Sequence, residues 1–269
     1  MKRYLLLTTV MMLGLASCKK EEVPAILPEA GFTVDGFNAS SSSPSVLTMG
    51  PWDQATVTNN SVNADNYVWD FGNGTTSTEK VIVLQYPAAG TYTLTLTAIT
   101  KNGKTAVAKK VVKIVEPVLK EVVVSRLLLN STVDRPASLT PFTKADVWVE
   151  IVRGEQNNFS YPYTNGSFSA PVFYKSNIAA NVDSANAPLV FSVAGRKVFD
   201  IPALVRDFGY KGIGYGFNLY ARDATGTYLL ASSFWSGVSA AYQGSYEKNS
   251  FAIPMSFLGF SLTFKGTYE

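Results

Sequence analysis

Thr91 to Ala98 reads T-Y-T-L-T-L-T-A, and that alternation constrains the fold more than any other feature of the chain. Tyr92, Leu94, Leu96 and Ala98 fall on one side of an extended backbone, and four threonines fall on the other. A period of two gives a strand with one buried and one wet face. Threonine suits the wet face because its branched Cβ favours extended backbone. The pattern recurs far downstream. Ile213, Tyr215, Phe217, Leu219 and Ala221 alternate with Gly214, Gly216, Asn218, Tyr220 and Arg222. Leu258, Phe260, Leu262 and Phe264 alternate with Gly259, Ser261, Thr263 and Lys265. No long stretch has helical periodicity, and only Phe199 to Phe208 fits one short helix. The chain is therefore expected to be all-β.

The remaining strands and their punctuation divide the chain in two. Phe32 to Val34, Ala55 to Thr58, Tyr67 to Phe71, Val81 to Leu84, Thr91 to Ala98 and Lys104 to Val115 form one set of short strands. Gly72-Asn73-Gly74 and Pro87-Ala88-Ala89-Gly90 supply its turns. Glu116-Pro117 marks a boundary. Val122 to Leu129 and Asp146 to Val152 then begin a second set. Closely spaced short strands predict antiparallel sandwiches. The expected domains are residues 30–116 and 118–269, the second with about eight strands.

A chain of 269 residues with 46% hydrophobic composition can bury two cores. Absence of histidine excludes Ser-His-Asp triads, Cys-His dyads and His-bearing zinc sites. Paired carboxylates remain, and Asp207 with Glu247 is the remote hydrolase candidate. Formal charge is +3. Removing Lys2 and Arg3 from the 23 basic residues leaves 21 against 20 acidic. That balance, without a clustered basic face, argues against nucleic acid. No cofactor is implied and no catalytic residue is assigned.

The chain begins MKRYLLLTTVMMLGLASC. A positive start and an apolar run of eleven residues, Leu5 to Leu15, make a segment too short to span a bilayer as a helix. Leu15-Ala16-Ser17-Cys18 resembles the bacterial lipobox. The resemblance implies a lipoprotein signal peptide over residues 1–17, cut before Cys18. The cysteine would be acylated, as in palmitate-bearing lipoproteins, and held in outer-membrane lipid. Lys19-Lys20-Glu21-Glu22 resembles the export signals of Bacteroidetes surface lipoproteins, which implies an outer-membrane protein facing the exterior. Residues 18–29 are then a tether.

Trp69-Asp70-Phe71-Gly72-Asn73-Gly74, followed by Tyr86-Pro87 and Gly90 to Leu96, resembles the PKD domain. This resemblance covers about Ala30 to Val115 and implies an immunoglobulin-like β-sandwich used as an extracellular spacer or adhesion module. Trp69 is expected in its core, with Asp70 ordering the turn. The second half loosely resembles calcium-and-phospholipid β-sandwiches of the synaptotagmin class through Lys144 to Val149 and Tyr220 to Gly226. Asp146 and Asp223 stand alone in their loops, so two carboxylates would leave most of a 6–8 oxygen shell unfilled and no metal is expected.

Candidate binding residues are aromatic. Ala231 to Ser250 loses strand alternation and places Phe234, Trp235, Tyr242 and Tyr246 among small polar residues, a composition suited to sugars or protein partners. Trp52, in Gly50-Pro51-Trp52-Asp53, is a second exposed-aromatic candidate. Asp183-Ser184-Ala185 lies in a polar, proline-ended stretch expected to be an exposed loop. It resembles the O-glycosylation acceptor motif of Bacteroidetes surface proteins, which implies a glycan on Ser184. The function expected is a non-catalytic surface lipoprotein acting as a binding or adhesion module. The alternative is a glycan-binding accessory of an outer-membrane polysaccharide-uptake system.

Overall fold

The computed structural model describes residues 26–36, 46–130, 136–154, 171–200, 214–233, 239–240, 243–246, 248–257 and 259–269. The N-terminal unit contains β1 (Phe32–Gly36), β2 (Val46–Met49), β3 (Ala55–Asn59), β4 (Asn66–Asp70), β5 (Thr76–Ser77), β6 (Val81–Leu84), β7 (Gly90–Ile99) and β8 (Thr105–Ile114). One sheet runs β1-β3-β6 and the other β2-β8-β7-β4-β5. Every pairing is antiparallel except β2 with β8, which is parallel.

The alternating residues do what the pattern predicts. Leu94, Leu96 and Ala98 are fully buried between the sheets, with Val57, Leu84 and Val112. Trp69 is 0% exposed. Its indole N–H donates to the Glu79 carbonyl at 2.9 Å, and its ring meets Phe32 edge-on at 5.3 Å. Asp70 accepts from the Gly72 N–H at 2.8 Å and so fixes the turn after β4. Gly72 has φ +73°, and a Cβ there would stand 2.7 Å from the Thr93 carbonyl oxygen, so only glycine fits. Tyr86 stacks on Tyr92 at 4.1 Å and donates to the Phe71 carbonyl at 2.7 Å. Burial, with Tyr92 and Asp70 nearby, pushes the Tyr86 phenol up to about 12.

The second unit contains β9 (Pro117–Arg126), β10 (Ala145–Gly154), β11 (Val172–Lys175), β12 (Ala179–Val182), β13 (Leu189–Val198), β14 (Gly214–Asp223), β15 (Gly226–Ser232), β16 (Ser239–Ala240), β17 (Gln243–Ser245), β18 (Ser250–Phe257) and β19 (Phe260–Tyr268). One sheet runs β11-β10-β14-β15, with β12 also on β10. The other runs β13-β9-β19-β18-β16, with β17 also on β18. Their inner faces share one core that includes Val122, Val149, Phe217 and Phe264. This is a second sandwich, and the chain is all-β. Among the described residues no helix is long and apolar enough to cross a membrane. The expected helix Phe199 to Phe208 lies outside the described residues beyond Asp200.

Three expectations need correction. The tether does not run free to Glu29: Pro28 is buried, and Glu29 exchanges backbone hydrogen bonds of 2.9 Å with Val62. Asn181 to Pro188 is not wholly loop, because β12 reaches Val182 and residues Ser184–Asn186 form a 3-10 turn capped by Asp183. In β14 the nominally wet positions Gly214, Gly216 and Asn218 are buried as well as the inner ones, so its first half is covered on both faces.

Candidate functional site

The chain passes between sandwiches through Val115 and Glu116 alone, and the junction is closely bonded. Val115 N–H donates to the Met49 carbonyl at 3.0 Å, and Glu116 exchanges backbone bonds with Glu269 at 2.8 and 2.9 Å. Arg196 pairs with Glu116 at 2.6 Å and reaches Glu269 at 3.6 Å. The bond to Glu116 holds the Arg196 guanidinium above its usual value, and the Lys120 ammonium holds the Glu269 carboxyl below its own.

Trp52 and Tyr246 meet at this junction. Trp52 is half-buried against the core of the second sandwich, not presented as an exposed platform. Asp53, only 9% exposed, accepts on one oxygen from the Gly50 N–H at 2.9 Å and from the Tyr246 hydroxyl at 2.6 Å. Tyr246 also packs on Tyr268 at 4.6 Å. These two aromatics join the domains. Phe234, Trp235 and Tyr242 lie outside the described residues, as do Cys18 and the Asp207–Glu247 pair.

Asp146 and Asp223 are each already engaged. Arg222 bonds Asp146 at 2.8 Å and the Asn181 N–H adds a second bond, which together hold its carboxyl below the usual range. Asp223 accepts from Thr225 backbone and hydroxyl. Among the described residues no group of three acidic, histidine or cysteine side chains is arranged to hold a metal. Ser184 is exposed on its 3-10 turn, where its hydroxyl accepts from the Leu129 N–H at 3.3 Å.

A cleft of about 310 Å³ lies where the sheets of the second sandwich part, between edge strands β11 and β13. Pairing slips at both edges here: β13 leaves the β9 ladder between Ser192 and Lys197, and β11 shifts on β10 between Ile151 and Val152. Such irregularities re-aim side chains beside sites. The Tyr174 hydroxyl reaches across to the Ser192 carbonyl at 3.3 Å. Among the described residues the lining carries Lys175 and Lys197 and no carboxylate. Lys175 is spoken for, by Glu150 at 2.7 Å and the Trp148 ring at 5.3 Å. The Lys197 ammonium stands 5.8 Å over the Phe173 ring.

On the outer face beside it, Trp148 stacks on Tyr220 at 5.3 Å. Cross-strand pairing sets Lys175, Glu150, Asn218 and Ser232 in one row. Asn218 is 2% exposed, and its side-chain carbonyl oxygen has no hydrogen-bond partner among the described residues. Sequence reasoning missed this cleft because its residues come from two edge strands with unremarkable composition.

Residues 50–115 match the family model of the PKD domain. The pre-pro-metalloprotease PrtV of Vibrio cholerae serotype O1 is 38% identical over 64 residues, which are 24% of this chain and 7% of the protease. The chain thus spans about 7% of the curated relatives it matches. The crystal structure of the PKD1 domain of that protease is 30% identical, with 33% of this chain and 98% of that one covered and a TM-score of 0.26. A structure of carbohydrate-binding modules of the β-sandwich superfamily is 13% identical, with 77% of this chain and 97% of that one covered and a TM-score of 0.25. The N-terminal sandwich of this chain is a PKD domain.

Proposed function

We propose that this chain is a non-catalytic binding lipoprotein in which the PKD domain is a spacer and the second sandwich presents the ligand site. Acylated Cys18 would hold it in the outer membrane, facing the exterior. The observation that carries the reading is the cleft between β11 and β13, whose volume of about 310 Å³ is that of a small-molecule site. Support for the spacer role comes from the junction, where buried Pro117 and Val118 follow Glu116 directly and leave no slack. A glycan is favoured over a protein partner because the cleft is small and its lining residues bring amide, hydroxyl and ammonium groups together. Ser184 remains the proposed O-glycan acceptor.

Two measurements test this. A glycan array probed with the full chain should return saccharide ligands, and a blank array would remove the glycan reading. Cys18→Ala should release the protein from membranes under mild washing, and continued membrane fractionation would remove the anchor.

A further inference from the structure

We propose that the ligand of the β11–β13 cleft is an acidic saccharide, a sugar ring bearing a carboxylate, with Lys197 as the residue that selects its charge. The inference rests on the glycan-binding reading above and names its chemical class.

Charge bookkeeping in the cleft points to an anion. Among the described residues two lysines line it and no acidic side chain does. Lys175 already has Glu150 as its counter-ion. Lys197 has no ion-pair partner among the described residues, and its ammonium rests instead near the Phe173 ring at 5.8 Å. A ring face holds a cation in place without neutralising it. Phe173 is itself fixed, by stacking on Phe199 at 5.4 Å and edge contact with Tyr215 at 5.1 Å. The charge is therefore positioned rather than swinging freely from the surface.

What surrounds that charge decides between anions. A phosphate or sulfate ester spreads its charge over three oxygens and is met by several cations or by a nest of backbone N–H groups. Here one uncommitted ammonium is accompanied by neutral groups: the Asn177 amide, the Ser192 hydroxyl and the Tyr174 hydroxyl, whose oxygen still has accepting capacity. That set matches one carboxylate flanked by hydroxyls, as in a uronic acid. The cleft lies between two exposed strand edges, so a ring held there can belong to a longer polymer running past the sandwich.

The test is calorimetric titration of the full chain, in a detergent without a sugar headgroup, with galacturonate, mannuronate and guluronate trimers. At least one trimer should bind. Its methyl ester, which keeps the ring and loses the charge, should bind roughly tenfold more weakly or worse, the usual weight of a charge-assisted hydrogen bond. Lys197→Gln should lose affinity for the acid by a similar factor and leave the ester unchanged, with an unaltered melting temperature. Added salt should weaken the acid alone. If methyl esters bind as well as acids, the acidic class is overturned and the glycan reading stands. If no trimer binds as acid or ester, the acidic assignment is overturned, and the glycan array alone decides the glycan reading. If a hexaglutamate peptide binds as tightly with the same dependence on Lys197, the cleft is a general anion site and the sugar assignment is overturned.

Discussion

Tyr246→Phe should loosen the joint between the two sandwiches, and the size of the effect can be worked from its geometry. The substitution removes one oxygen and keeps the ring that packs on Tyr268 at 4.6 Å. What is lost is the 2.6 Å bond to Asp53, a carboxylate only 9% exposed. Among the described residues the same carboxylate oxygen then keeps only the Gly50 N–H. Hydrogen bonds to charged groups are worth about 1.5–3 kcal/mol, and a buried acceptor left short of partners adds to the loss. We expect about 2 kcal/mol, or ~4–8 °C in Tm at about 2–4 °C per kcal/mol for a chain of this size. Scanning calorimetry is the assay, because it also reports whether the sandwiches melt together. Asp53→Asn completes a double-mutant cycle, in which the pair should show a coupling energy of about 1.5–3 kcal/mol. A coupling below about 0.5 kcal/mol would refute the bond as a determinant of the joint.

Two further outcomes follow from the PKD core. Trp69→Ala should cost ~3–5 kcal/mol by leaving a cavity between the sheets, and an unchanged denaturation midpoint would contradict its central place. The Tyr86 phenol, raised from 10.0 to about 12, favours its protonated form in the folded state. Its contribution to stability is full below pH 10 and is lost as pH rises from 10 toward 12. Denaturation series should show the wild type weakening more steeply than Tyr86→Phe across that window; parallel curves would mean that the phenol titrates normally.

How much of this was readable beforehand depended on how local the cause was. Trp69, Asp70 and the threonine strand were legible because period-two burial and Asx turns are set within a few residues. The parallel pairing of β2 with β8 was not, since Val46 and its partner Val111 are joined by nothing local. Trp52 looked exposed for the same reason: what covers it belongs to the second sandwich, and Tyr246 lies 193 residues from Asp53. Alternation also misled in β14. It reports which face is apolar, and Asn218 is buried although polar. The cleft was hidden because Phe173 and Lys197 acquire meaning only where two edge strands diverge.

The junction has a consequence for how the molecule meets proteases. Nicking concentrates at exposed, mobile loop tips, where a stretch of backbone can lie extended in an enzyme's groove. Between β8 and β9 no such stretch exists. Val115, Pro117 and Val118 are buried, and Glu116 is held on both backbone atoms by Glu269. The point where the sequence changes domain is therefore among the poorest places to cut it. Limited digestion should not release two intact halves, and cleavage should instead fall outside the joint, leaving both sandwiches together in one fragment.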